Sequence, residues 1–345
     1  FLIIFLLFGK QLLFLLGGRG EILQESYMYC SVLFFGGLIL WLSGSLSAAL
    51  RGMGNMRFPA TLMVCTSFLQ VILSGGFILG WYGFPQIGVP GAAVATLISA
   101  SLMVAIILIK LVSKSVPVRL RISKFLLSKN LFNNIFEVAV PASVSPLLTV
   151  GTILVLTGLV GTFGTEALAG YGIGSRVEFL MIPLIFGIGT AMTSIVGANI
   201  GAQNIERAET VGIYGGTTAG IVSIFIGLTL AIFPDAWIQF FTDDLKAYEV
   251  TKKYIQIVGP FYIFQGIGLS LYFASQGANA MKWPTIATVA RFLIASIGGG
   301  ISIYWLDLGI ESIFISSSLA MMVFGTMIFI SIKRGAWRKE SPKVS

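Results

Sequence analysis

Residues 58–81, 138–161 and 210–233 each run for 24 residues without one Asp, Glu, Lys or Arg. An α-helix rises about 1.5 Å per residue, so about 20 apolar residues cross the roughly 30 Å hydrocarbon core of a bilayer. Lipid offers no partner to a backbone N–H or C=O, so each such run has to satisfy its own peptide groups as a helix. Further runs at 1–16, 27–50, 87–110, 178–200, 254–279, 284–305 and 311–332 bring the expected spans to ten. The composition agrees: 10% of the residues are charged, against about 25% in soluble domains. The expected fold class is an all-α polytopic membrane protein embedded in the lipid bilayer.

The placement of charge sets the orientation. The connections at 51–57, 110–137, 201–209 and 280–283, with the tail from 333, hold fifteen Lys and Arg, whereas the alternate set holds five. Basic residues collect on the cytoplasmic side, so the C-terminus is expected there, in the plasma membrane (the inner membrane of a prokaryote). The net charge of +8 belongs to that membrane face, and no nucleic-acid partner is expected. Residues 113–135 form the one long basic connection and divide an N-terminal lobe (1–112) from a C-terminal lobe (136–333), followed by a tail (334–345). Cys30 and Cys65 both lie in apolar runs and read as packing residues.

Two distant stretches resemble each other. RGMGNMRFPA (51–60) and QGANAMKWPT (276–285) share Gly52/Gly277, Met56/Met281 and Pro59/Pro284 at an offset of 225 residues. In both, a helix ends near the glycine and the next starts near the proline, which a first helical turn tolerates. The two copies are separated by an even number of spans, so they face the same side, as in parallel repeats related by an axis along the membrane normal. A weaker match joins 88–100 to 309–321 at an offset of 221. If each repeat has six helices, the first lacks two, which predicts about 100 further residues, in two helices with their connections, ahead of Phe1.

Several longer stretches carry a family resemblance: Pro141, GTEALAGYGIGSRVEF (164–179), VGANIGAQNIERAE (196–209), LRGMGNMRFPAT (50–61) and IGVPGAAVATLIS (87–99). Together they resemble the multidrug and toxic compound extrusion (MATE) transporters. That resemblance implies twelve helices in two six-helix lobes. The four spans of the first lobe here correspond to helices 3–6, and the six of the second to helices 7–12. It also implies export of amphipathic, often cationic, small molecules by alternating access, driven by a Na⁺ or H⁺ gradient, with no enzymatic activity and no cofactor. A monomer is expected.

Coupling to a cation gradient calls for a carboxylate inside the membrane. At the positions where the family often has acids, this chain has Gln70, Ser74 and Gln265, neutral groups that line a cavity or bond neighbouring helices. The resemblance therefore leaves coupling to a helix ahead of Phe1. Glu178, beside Arg176 at the expected outer end of the 178–200 span, is a further candidate contact for substrate or cation. Arg291, about seven residues into its span, has two readings: snorkelling to the cytoplasmic interface, which is favoured, or facing the cavity, where a cation would oppose cationic substrates. Gly52, Pro59, Pro141, Gly277 and Pro284 are candidate hinge or structural positions. Two other functions stay open: flipping of a lipid-linked oligosaccharide, which needs a strongly basic cavity, and a transport-dead membrane scaffold.

Overall fold

The computed structural model describes residues 2–15, 19–113, 120 and 128–340. All regular structure among them is helical. The chain divides into two compact units, Phe1–Leu126 and Leu127–Ser345.

The first unit contains α1 (Leu2–Leu15), α2 (Gly20–Phe35), α3 (Gly37–Gly52), α4 (Arg57–Leu79) and α5 (Pro90–Val112). The span expected at 27–50 is a broken one: α2 and α3 meet at a 53° bend. The break falls at Gly36, where an added Cβ would run into the Leu97 side chain of α5. Leu50, Ile107, Leu111 and Met103 form the buried core, flanked by Leu46 and Leu62.

The second unit contains α6 (Lys129–Gly161), α7 (Thr165–Gly201), α8 (Ile205–Ile232), the short α9 (Asp235–Ile238), α10 (Leu245–Val258), α11 (Tyr262–Gly277), α12 (Lys282–Leu293), α13 (Gly299–Tyr304), α14 (Glu311–Lys333) and α15 (Ala336–Glu340). A 3₁₀ turn at Gly259–Phe261 links α10 to α11, and a π-helical stretch at Ile294–Gly298 links α12 to α13. The central helix is α11, which packs on α7, α8 and α14. Glycines allow the close approach: a Cβ on Gly277 would strike the carbonyl of Thr193, and one on Gly227 the carbonyl of Gly259. In lipid, where apolar surface gives no drive between helices, such tight backbone contact is a main source of helix association.

Among the described residues eight helices are long and apolar enough to cross a membrane, alongside the bent α2–α3 pair and a shorter apolar stretch at Phe5–Phe14. The expected bounds need two corrections. The span read at 254–279 starts at Leu245, and the span read at 178–200 starts at Thr165. The basic connection at 113–135 lies mostly outside the described residues, and its last part belongs to α6.

The duplication is visible in the backbone. At the first joint, Met53, Gly54 and Asn55 N–H donate to the carbonyls of Ala49, Arg51 and Leu50; at the second, Ala278, Asn279 and Ala280 donate to Ala274, Gln276 and Ser275. Every donor and acceptor is displaced by 225 positions. Gly54 (φ 80°) and Asn279 (φ 55°) occupy the same left-handed position, which glycine and asparagine tolerate best. The traverse Arg57–Leu79 matches Lys282–Tyr304, both 23 residues long. After a connection four residues shorter, Pro90–Val112 matches Glu311–Lys333, again 23 residues each, at the offset of 221.

The region after α14 does not simply trail away. Gly335 (φ 78°) turns the chain into α15, where Trp337 is buried and donates its Nε1–H to Ser275 Oγ at 3.2 Å. Arg338 makes a two-pronged pair with Glu209, its shortest contact 2.6 Å.

Candidate functional site

Within the second unit, α6, α7, α11, α12 and α14 enclose a cavity of about 340 Å³, lined by Thr149, Leu156, Tyr171, Glu178, Gln265, Arg291 and Ser317 among others. Most of this lining is apolar or hydroxyl-bearing, so Glu178 and Arg291 dominate its electrostatics.

Glu178 is the fourteenth residue of α7, about 20 Å from its start, and lies well inside the helix. The expected outer-end location is therefore wrong. The cause is the stretch before it: GTEALAGYGIGSRV is rich in small residues and reads as a connection, but its glycines are packing sites. A Cβ on Gly170 would meet the backbone and Val250 of α10, and one on Gly174 would meet the ring of Tyr254. Thr251 Oγ1 also donates to the carbonyl of Gly170 at 2.9 Å, fastening α10 to α7.

This close packing brings Tyr254 to Glu178. The hydroxyl of Tyr254 donates to Glu178 Oε1 at 2.5 Å. Its ring packs edge-to-face on Tyr171, centroids 5.5 Å apart, and on Phe314, 5.1 Å apart. Tyr262 is also buried and lies within electrostatic reach of Glu178.

Arg291 also needs correction. It does not snorkel to the interface: its guanidinium lies 5.4 Å from the centroid of Phe324 on α14, lines the cavity, and feels the charge of Glu178. Glu178 and Arg291 form no direct ion pair; the described ion pairs are Lys253–Glu311 and Arg338–Glu209. Among the described residues the Arg291 guanidinium makes no hydrogen bond. Gln265 is 6% exposed, and its Oε1 is buried without a partner among the described residues.

The sequence candidates thus separate. Glu178 and Gln265 meet in one cavity. Gln70 and Ser74 lie on α4 of the first unit, where Gln70 Nε2 donates to Thr96 Oγ1 of α5 at 2.9 Å, a helix-to-helix bond. Gly52 and Pro59, like Gly277 and Pro284, sit at the equivalent joints, and Pro141 is inside α6. Arg176 points away from the cavity, exposed, 5.2 Å from the ring of Phe241. Sequence reasoning missed Tyr254 and Tyr171, and set the cavity-facing reading of Arg291 behind snorkelling. The available signal was Arg291 itself, because a cation inside a span needs a partner from another span.

Comparison with known proteins agrees with this architecture. A sequence model of the family described as MatE matches residues 1–74 and 141–300. A probable multidrug resistance protein NorM of Thermotoga maritima is 28% identical over 324 residues, covering 94% of this chain and 70% of the relative. A probable multidrug resistance protein YoeA of Bacillus subtilis is 22% identical over 287 residues, covering 82% and 62%, and an FAD transporter of Shewanella oneidensis is 23% identical over 283 residues, with the same coverages. The chain thus spans between 62% and 70% of the length of these relatives. Among solved structures, a multidrug resistance MATE family transporter in an outward-facing conformation superposes with a TM-score of 0.87 at 25% identity, covering 98% of this chain and 76% of the other. A MOP superfamily transporter from Pyrococcus furiosus gives 0.88 at 24% identity, covering 97% and 75%. The family model falls on both copies of the duplicated joint and on the helices that carry Glu178 and Arg291; this multi-pass membrane protein belongs to the MatE family.

Proposed function

We propose that the protein is a secondary active transporter that exports amphipathic organic compounds bearing positive charge from the cytoplasm, by alternating access, in exchange for H⁺ or Na⁺. The observation that carries this reading is Glu178, a carboxylate inside a spanning helix, held by Tyr254 on the wall of a mainly apolar cavity. A carboxylate in such a place binds either a coupling cation or the cationic group of a substrate. Competition for one acid couples the two fluxes. The coupling role that the family resemblance leaves to a helix ahead of Phe1 thereby has a candidate within this chain. The fifteen-to-five bias of basic residues supports a plasma-membrane orientation with the C-terminus inside. The relatives, probable multidrug resistance proteins among them, support the substrate class. The oligosaccharide-flippase alternative expects several cations around a head group; among the residues lining this cavity Arg291 is the sole cation.

The test is reconstitution of the full-length protein in vesicles, with imposed pH or Na⁺ gradients and a panel of fluorescent amphipathic amines. Gradient-dependent flux that Glu178→Gln abolishes is the expected result. Flux that ignores both gradients, or that survives Glu178→Gln unchanged, sinks the reading.

A further inference from the structure

We infer that the membrane face where α14 ends carries a binding site for one anionic phospholipid, built by α12, α14 and α15 and separate from the cavity that holds Glu178. A second cavity, of about 380 Å³, lies there, lined by Trp283, Met327, Ile330, Ser331, Arg334 and Lys339 among others. Four basic residues, Lys333, Arg334, Arg338 and Lys339, crowd this end of the described chain. Lys333 lies over the ring of Phe329, 4.8 Å from its centroid, and Arg338 pairs with Glu209. Arg334 and Lys339 make no ion pair among the described residues. Both line the cavity, and no acidic residue is among its described lining.

The chemistry is graded with depth. Arg334 follows the last residue of α14, whereas Ile330 and Met327 lie one and two turns inside it. Two cations at the mouth and apolar walls below match a phosphate attached to acyl chains; a small soluble anion would use the mouth alone. Trp283 is the second residue of α12, and tryptophan is enriched where spans meet the head groups. Basic pockets between spans take anionic lipid head groups on the leaflet that carries them. In the proposed orientation this is the cytoplasmic leaflet.

The duplication supplies an internal comparison. By the offset of 225, Trp283 corresponds to Phe58; by the offset of 221, Ser331 corresponds to Lys110 and Arg334 to Ser113. In the first copy the Lys110 ammonium lies 5.4 Å from the centroid of the Phe58 ring, so the chain's own side chain spans the two helices. In the second copy Ser331 donates its hydroxyl to the carbonyl of Ile328 at 2.7 Å and is too short to cover the tryptophan. The cation has moved to the rim, at Arg334 and Lys339. One copy of the joint is closed by its own lysine; the other is an open pocket with two cations at its mouth.

The experiment is native mass spectrometry of the purified full-length protein, titrated in detergent with phosphatidylglycerol, with phosphatidylcholine of the same acyl chains, or with both phosphatidylglycerol and soluble glycerol phosphate. A one-to-one phosphatidylglycerol adduct is expected at a concentration about tenfold below that needed for phosphatidylcholine, the range of a charge-assisted contact. Arg334→Gln/Lys339→Gln should abolish that preference. Arg57→Gln/Arg207→Gln removes equal charge from the same face and should keep it. Ser331→Lys recreates the arrangement of the first copy. It adds positive charge, yet should weaken phosphatidylglycerol binding by filling the cavity, where general attraction to a basic face predicts the reverse. Equal binding of the two lipids, no adduct with either, an unchanged preference in the first double variant, its loss in the second, or tighter binding after Ser331→Lys overturns the inference. Displacement of the lipid by equimolar glycerol phosphate would mark a site for soluble phosphates and overturn the lipid assignment.

Discussion

The hydroxyl of Tyr254 on α10 donates to Oε1 of Glu178 on α7, and a glycine one turn earlier on α7, Gly174, leaves room for the tyrosine ring. The bond therefore depends on backbone packing as much as on the two side chains. α10 is pinned to α7 by Thr251 and by the ring contacts of Tyr254, so the carboxylate has a fixed donor on one oxygen and its remaining capacity faces the cavity.

Removing that donor should be felt more strongly when the acid is present. Tyr254→Phe is expected to cost about 1.5–3 kcal/mol, the range for a hydrogen bond to a charged group. In a Glu178→Gln background the same change should cost about 1 kcal/mol, as for a neutral pair. Thermal unfolding of the four proteins of this cycle measures the difference. Equal costs in both backgrounds would show that the bond draws nothing from the charge.

The repeat that is obvious in sequence is not symmetric in packing. Gly52 and Gly277 end equivalent helices, but a Cβ on Gly52 meets nothing within 4 Å, whereas one on Gly277 strikes the backbone of Thr193. Gly277→Ala is expected to destabilise by about 1–3 kcal/mol, as overpacking does. Gly52→Ala should be neutral or slightly stabilising, since alanine is the better helix former. Comparable loss at both positions, read from thermal unfolding in detergent, would contradict this asymmetry.

Those two glycines also mark the limit of what sequence reveals. The joint was legible because a helix end, a left-handed residue and a proline start are local chemistry, and Gly54 and Asn279 declare it within ten residues. The cavity was not. Hydropathy registers residues that face lipid, while Gly170 and Gly174 face α10; a helix built on such contacts looks like a connection. That shortened α7 by thirteen residues and moved Glu178 to the membrane surface. The sequence favours snorkelling over a cavity-facing Arg291 because the charge it faces, Glu178, lies on another helix, more than a hundred positions earlier. Gln265 lines the cavity, and its unpartnered oxygen is a property of packing alone.

The residues beyond α14 should matter to stability. Trp337 is 1% exposed and fills the space above Gly212, so Trp337→Ala is expected to cost about 3–5 kcal/mol. Arg338 is mostly exposed where it pairs with Glu209, so solvent screens the pair and Arg338→Ala should cost far less than the loss of the tryptophan. Thermal unfolding of the two variants separates them. A larger loss from Arg338→Ala would mean that α15 is held by charge and that the tryptophan follows.

The last relationship concerns a proline and the tyrosine that compensates for it. Pro146 lies inside α6 and has no N–H to give the carbonyl of Ala142, four residues earlier. Tyr272 of α11 supplies the missing donor: its hydroxyl meets that carbonyl at 2.8 Å. Tyr272→Phe should leave a carbonyl without a donor in a setting poor in water, costing about 1–3 kcal/mol. Pro146→Ala in the wild-type background restores the intrahelical N–H and makes the tyrosine bond redundant. In the double variant the alanine N–H satisfies Ala142, so most of the Tyr272→Phe penalty should vanish. The cycle is read by thermal unfolding. A coupling of about 1 kcal/mol or more, with the double variant recovering stability, is the expected outcome. Additive losses would show that the carbonyl finds another donor, and that the tyrosine hydroxyl does not make good the bond lost at Pro146.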